Sequence, residues 1–171
     1  YLQRRLNNSI VALQLRPSYY SASSNGTGTG GSYNYSLTGT TIAPLFKLYI
    51  LENTGVKLFL IGGVNWGMLS GKIQEASASA SFSGTNIGYQ GGIGTSFCFG
   101  SGGSHCMVLE GQVRYLFVER NIVDDASGTF SQNSPASLSQ AIKGKELELD
   151  SKDVGTTMSG VQGLIGYQYN F

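Results

Sequence analysis

The sequence predicts an all-β chain: one antiparallel up-and-down transmembrane β-barrel of eight strands, six of them directly legible. Three observations predict it. Apolar and polar residues alternate with a period of two over six long segments. Short turns alternate along the chain with long polar loops. Charged residues make up only 12% of the 171 residues, about half the share usual in soluble domains. No apolar run approaches the roughly 20 residues that a transmembrane helix needs. The length suits a single domain over residues 1–171. A net charge of +1 and the absence of a dense Lys/Arg stripe exclude a nucleic-acid footprint.

The first strand spans Ser9 to Tyr20, where Val11, Leu13, Leu15, Pro17 and Tyr19 alternate with Ala12, Gln14, Arg16 and Ser18. Ser21 to Ser32 reads as a flexible Gly/Ser/Thr loop. Tyr33 to Leu51 is a long strand whose apolar phase slips between Gly39 and Ile42, which predicts a bulge there. Glu52 to Gly55 is a tight turn. Val56 to Met68 puts Leu58, Leu60, Val64, Trp66 and Met68 on one face and Lys57, Asn65 and Gly67 on the other, with Phe59 and Ile61 as exceptions. Ser70 to Thr85 is a second polar loop or an extended hairpin. Asn86 to Phe99 sets Ile87, Tyr89, Ile93 and Phe97 against Gly88, Gln90 and Ser96. Cys106 to Arg120 sets Met107, Leu109, Val113 and Tyr115 against Glu110, Gln112 and Arg114. Asn121 to Asp153 is a long polar loop without strand periodicity. Val161 to Phe171 closes the chain as an amphipathic strand, with Leu164 as its exception.

This sorting of connections is that of a bacterial outer-membrane barrel, short turns toward the periplasm and long loops outside. Six strands are even in number, but small barrels begin at eight. The remaining pair is a hairpin hidden in Tyr1–Asn8 or in 121–153, a lost N-terminal hairpin, or the result of several chains sharing a larger barrel. The opening Tyr1-Leu2-Gln3-Arg4-Arg5 carries neither initiator Met nor signal-peptide core, which points to a processed or trimmed N-terminus.

The period of two places Leu13, Leu60, Val64, Ile93, Leu109, Val113 and Ile165 outward. It turns Gln14, Asn65, Gln90, Glu110, Gln112, Arg114 and Gln168 inward. Arg16, Lys57, Glu110 and Arg114, with Lys47, lie on or near the inner phase as lumen charges. In a narrow barrel such charges pair and plug the lumen; in a wider one they line a water path. Tyr19, Tyr33, Tyr35 and Trp66 fall near the external strand ends, and Phe97, Phe99, Tyr167, Tyr169 and Phe171 near the periplasmic ends, as two interfacial belts.

Cys98 and Cys106 bracket a Gly/Ser turn, which reads as a hairpin disulfide formed in an oxidising compartment; the alternative is two free thiols. With His105 they supply too few ligands for zinc. His105 is the single histidine, so a Ser-His arrangement at the external rim is not expected. Asp124-Asp125 and Glu146, Glu148, Asp150 are carboxylate clusters suited to acid–base work or calcium, or a solvated loop, and the loop is the preferred reading. No catalytic, cofactor or metal residues are assigned, and an enzyme is not expected.

The strand–loop alternation, the segment Glu110-Gly-Gln-Val-Arg-Tyr-Leu-Phe-Val-Glu-Arg-Asn121 and the ending Gly163-Leu-Ile-Gly-Tyr-Gln-Tyr-Asn-Phe171 resemble the small OmpA/OmpX-type outer-membrane β-barrels. The resemblance implies a structural, adhesive or assembly role in the bacterial outer membrane. It implies lipid and the barrel assembly machinery as partners, with Tyr167, Tyr169 and Phe171 as the insertion signal. Residues 121–153 are the expected surface for another envelope protein. Two other functions compete: a narrow diffusion pore for small solutes, and a soluble lipocalin-like carrier.

Overall fold

The alternation becomes long antiparallel strands. The computed structural model describes residues 1–6, 10–28, 31–75, 78–130, 141–149, 152–169. In chain order the strands are β1 (Leu2–Arg5), β2 (Val11–Gly28), β3 (Gly31–Glu52), β4 (Val56–Glu75), β5 (Ala78–Phe99), β6 (His105–Tyr115), β7 (Phe117–Val118) and β8 (Ile122–Ser127). The chain then returns through β9 (Glu148–Leu149), β10 (Lys152–Asp153), β11 (Thr156–Thr157) and β12 (Gly160–Tyr169). The main sheet has eight strands in the order β1-β2-β3-β4-β5-β6-β12, with β8 pairing β5 beyond the end of β6. Every pairing is antiparallel and follows chain order, an up-and-down arrangement.

The sheet is rolled. Arg16 on β2 and Glu110 on β6 form an ion pair of 2.8 Å. Four strand spacings of about 4.8 Å would hold them roughly 19 Å apart in a flat sheet. Rolling buries one face of the sheet against itself. Among the described residues no pairing joins β1 to β12, so the roll is not closed by backbone hydrogen bonds.

The end of β1, the turn Asn53–Gly55 and the 3-10 turn Ser101–Gly103 lie at one end of the sheet. Asn53 Oδ1 accepts the amides of Gly55 (3.2 Å) and Val56 (2.7 Å), which explains how so short a turn closes. The long hairpins β2/β3 and β4/β5 project at the other, distal end.

The outer face turns from apolar to polar partway along the strands. The inner face of the turn-end half is mixed, burying Ala43, Leu45 and Tyr49 of β3 and Phe59 and Ile61 of β4 beside its polar residues. In the turn-end half, Ile42, Phe46, Leu48 and Ile50 of β3 are exposed, while Thr41 and Lys47 are buried. In the distal half the order reverses: Leu37 is buried and Thr38 and Thr40 are exposed. The neighbouring β4 does the same, with Leu60, Val64 and Trp66 outward, then Leu69 and Ile73 inward. The distal core joins Leu37, Leu69, Ile73, Phe82, Leu116 and Met158, with further side chains from residues 123–147. Inner-face glycines make room for it: a Cβ on Gly67 would lie 2.3 Å from Leu116 Cδ2, and one on Gly71 would lie 2.1 Å from Phe82 Cζ.

Several expectations are corrected here. No register shift occurs between Gly39 and Ile42; the apparent slip is the change of apolar face, and the β3/β4 irregularity lies at Tyr49/Leu51. The described part of 21–32 is not a loop but the distal end of strands, and that of 70–85 is the extended hairpin rather than the loop, since backbone pairing needs no apolar side chains. The segment 121–153 contributes β8 and buries Val123, Phe130 and Leu147 in the distal core. Tyr33 and Tyr35 face inward in the distal half, where Tyr35 stacks on Phe82 at 6.3 Å, so they form no outer belt. The strand hidden in Tyr1–Asn8 is β1.

Candidate functional site

Inside the turn-end half, β2, β5, β6 and β12 bring a polar cluster together. Arg16 Nη2 donates to Glu110 Oε2 (2.8 Å) and Gln14 Oε1 (2.9 Å). Gln112 Nε2 donates to the same Glu110 oxygen at 2.8 Å, and Gln112 Oε1 accepts from Gln90 (3.3 Å) and Gln162 (3.4 Å). Glu110 is 5% exposed, so its charge is held by these donors rather than by bulk water. Alternate residues on each strand supply the cluster, which is the direct outcome of the period of two.

Several buried polar atoms in this region have no hydrogen-bond partner among the described residues: Gln14 Nε2, Arg16 Nε and Nη1, Lys47 Nζ, both side-chain atoms of Asn65, and Glu110 Oε1. A cavity of about 250 Å³ beside Tyr1, Arg16, Thr41, Gln90, Glu110 and Arg114 adjoins this cluster, with room for several water molecules. Lys47 stands over the Phe59 ring at 3.5 Å. Among the described residues of the turn-end half, Arg16, Lys47 and the half-buried Arg114 stand against one buried carboxylate, Glu110; the other buried carboxylate, Glu75, lies at the distal end.

Lys57 lies at the rim rather than beside this cluster. It pairs with Glu52 at 3.2 Å, and Arg5 Nη1 donates to the same carboxylate at 2.7 Å. The hydrogen bond from Arg5 holds the Glu52 carboxyl below its usual range. Arg114 turns toward the distal cap and donates Nε–H to Met158 O at 3.0 Å.

Cys98 and Cys106 are directly opposed on β5 and β6 and form a disulfide. Next to it, His105 is stacked against Phe99 at 5.9 Å and its Nδ1 meets the Tyr167 hydroxyl. Tyr167 and Tyr169 are exposed; Phe171 lies outside the described residues. Asp124 accepts from Ser83 at 2.9 Å, and Glu146 pairs with Arg120, while Asp150 lies outside the described residues. Among the described residues no group of three His, Cys, Asp or Glu side chains could hold a metal ion.

The outer face of the turn-end half is a continuous apolar band. Leu13, Leu60, Val64, Ile93, Leu109, Val113 and Ile165 are all exposed, Ile165 to 82%. Gln14, Asn65, Gln90, Glu110 and Gln112 are buried, and Arg114 and Gln168 are half-buried. Aromatic residues mark both margins of the band. Tyr19, Trp66 and the stacked pair Tyr89–Tyr115 (5.4 Å) lie toward the distal side; Phe97, Phe99, Tyr167 and Tyr169 lie toward the turns. Tyr89 and Tyr115, which period alone put among the outward residues, are the belt members that sequence reasoning missed. Their register on neighbouring strands reveals them. Among the described residues no helix is long and apolar enough to cross a membrane. No known protein family matches the chain, and neither a curated protein nor a solved structure is significantly similar to it.

Proposed function

We propose that the chain is a non-enzymatic β-barrel protein of the bacterial outer membrane, a scaffold that holds its distal hairpins and the 121–153 segment outside the cell. One observation carries this reading: the exposed apolar band surrounds an interior that holds a buried polar cluster beside small apolar ones, and it gives way to a polar outer face in the distal half. A water-soluble sheet buries its apolar face, as the distal half does; exposing it around a buried polar cluster suits hydrocarbon solvent. Ile87 to Phe97 takes eleven residues of β5, ten steps along the strand. That is roughly 34 Å along a strand and about 26 Å along an axis tilted by ~40°, the height of a lipid-facing band.

The filled distal end favours a scaffold over a diffusion pore, because Leu37, Leu69, Phe82, Leu116 and Met158 occupy the space an open channel needs. The partners of this reading are outer-membrane lipid around the band, the barrel assembly machinery during insertion, and an envelope protein at residues 121–153.

Trp66 tests it, being the single tryptophan and lying exposed at the band's distal margin. In vesicles of brominated lipids, bromines near the headgroups are expected to quench it more strongly than bromines at the chain ends. Absence of quenching, together with release of the protein by salt, overturns the proposal. A steady single-channel current in a planar bilayer would keep the membrane location and replace the scaffold with a pore.

A further inference from the structure

The direction of the two sheet edges carries an inference beyond the scaffold. Each neighbouring pair from β1 through β6 to β12 is antiparallel. Alternation along that path makes β1, β3, β5 and β12 run the same way. The edges that face each other across the seam are therefore parallel to one another. An up-and-down sheet with an odd number of strands in its ring cannot close with antiparallel pairs throughout.

Among the described residues no backbone pairing joins the two edges, and Tyr1 Oη donates to Gln168 Oε1 across the seam at 3.2 Å. A cleft of about 880 Å³ runs between Tyr1–Arg5 on one side and Gly166–Tyr169 on the other, with Tyr49 and Lys57 at its base. Gly160, Gly163 and Gly166 on β12 have nothing within 4 Å of where a Cβ would stand. No strand among the described residues lies on the far side of β1 or β12.

We infer that the seam is a docking site for one extended polypeptide strand, running opposite to both edges and pairing with β1 and β12 together. The inserted strand is amphipathic. Its outward residues are apolar, to continue the band between Leu2 on β1 and Ile165 on β12. Its inward residues are small, polar or acidic, because the adjoining interior carries Arg16, Lys47 and Arg114 against the single carboxylate of Glu110. β12 offers ten residues of edge, which sets the length at about ten. Direction disfavours a second copy of this chain. Inserted in the same sense its own edges would again run parallel to those they meet. Pairing β12 with β12 of a second copy in antiparallel fashion would point the two sets of hairpins in opposite directions.

The test uses a synthetic peptide with the sequence of Met107–Tyr115 carrying Val108→Ser and Arg114→Gln, which runs in the required direction beside β12 and has apolar outward and small, polar or acidic inward residues. A peptide of the same composition with the alternation scrambled is the control. Amide hydrogen exchange is followed by mass spectrometry on the refolded 171-residue chain in detergent micelles. The alternating peptide is expected to slow exchange in Leu2–Arg5 and in Gly160–Tyr169 together, by about tenfold or more. Slow exchange at both edges before any peptide is added means that the seam closes on itself, and overturns the inference. Protection of one edge alone, equal protection by the scrambled peptide, or protection that instead follows protein concentration as copies associate overturns it too. Strand insertion without Trp66 quenching would leave the docking site standing and remove the membrane reading.

Discussion

Lys47 and Phe59 face each other on adjacent strands, the ammonium 3.5 Å from the ring centroid and both side chains fully buried. Lys47 Nζ has no hydrogen-bond partner among the described residues, so the ring face is its nearest compensation. Replacing the cation by an apolar chain of similar length removes a desolvated charge. Lys47→Met is therefore expected to raise unfolding stability by about 1 kcal/mol or more. Phe59→Leu should destabilise the parent more than it destabilises the Lys47→Met background, with a coupling of about 1–2 kcal/mol. Urea titration followed by Trp66 fluorescence measures both; equal effects in the two backgrounds would show that the ring does not hold the charge.

The rim trio Arg5, Glu52 and Lys57 predicts a pH effect outside the apolar band. The Glu52 pKa is lowered in the folded chain, first by its hydrogen bond from Arg5. A depressed carboxyl pKa gives stability that is complete above the unfolded value, about 4.3, and is lost as pH falls through the lower folded value. Being partly exposed, the trio contributes less than about 1 kcal/mol. Glu52→Gln should thus lower the unfolding midpoint slightly at pH 7, and the difference from the parent should shrink as pH falls below the unfolded carboxyl value. A difference that persists unchanged at pH 3 would contradict this assignment.

The Cys98–Cys106 bond closes a loop of sequence separation 8. A loop this short gives an entropic gain of about 2–3 kcal/mol at most. Alkylation in denaturant without reductant is expected to label neither cysteine. The Cys98→Ser/Cys106→Ser pair should keep the same strand content while unfolding at lower urea.

Glycines on the two faces should behave oppositely. Gly71→Ala forces a methyl into the Phe82 ring and is expected to cost about 1–3 kcal/mol. A Cβ on Gly111 meets nothing within 4 Å, and alanine there removes the backbone freedom of glycine. Gly111→Ala should be neutral or mildly stabilising in the same thermal melt. Equal destabilisation by both would mean that strand geometry, not distal packing, selects these glycines.

Much of this fold is legible because a strand's period is insensitive to what solvates it. Val113 between Gln112 and Arg114 reads as outward from sequence alone, and the structure agrees. What sequence could not reveal depends on partners far along the chain. Ser21–Gly28 has few apolar residues and reads as a loop, yet it pairs residue for residue with β3. Val123, Phe130 and Leu147 are scattered in a polar stretch, and their burial depends on Leu116 and Phe82 being within reach. The Arg16–Glu110 pair requires the sheet's curvature, which no local pattern encodes. Neither does local pattern encode the edge direction, since β1 is only four residues long.

The change of apolar face along β3 and β4 also acts as a double check on strand alignment. In a strand with one apolar face throughout, slipping by one residue makes one kind of error along its whole length. Here the same slip makes two opposite errors at once. Leu37 and Leu69 would leave the distal core for the outside, while Phe46 and Val64 would turn into the polar interior beside Lys47 and Asn65. No single environment rescues both halves: a more apolar solvent tolerates the first error and not the second, and water does the reverse. Two-residue slips keep the faces but carry the crossover point on one strand out of line with that on its neighbour, setting Met68 opposite Ile42 and Ser70 opposite Thr40. Alignment is thereby specified at two places on each strand, by two opposite patterns.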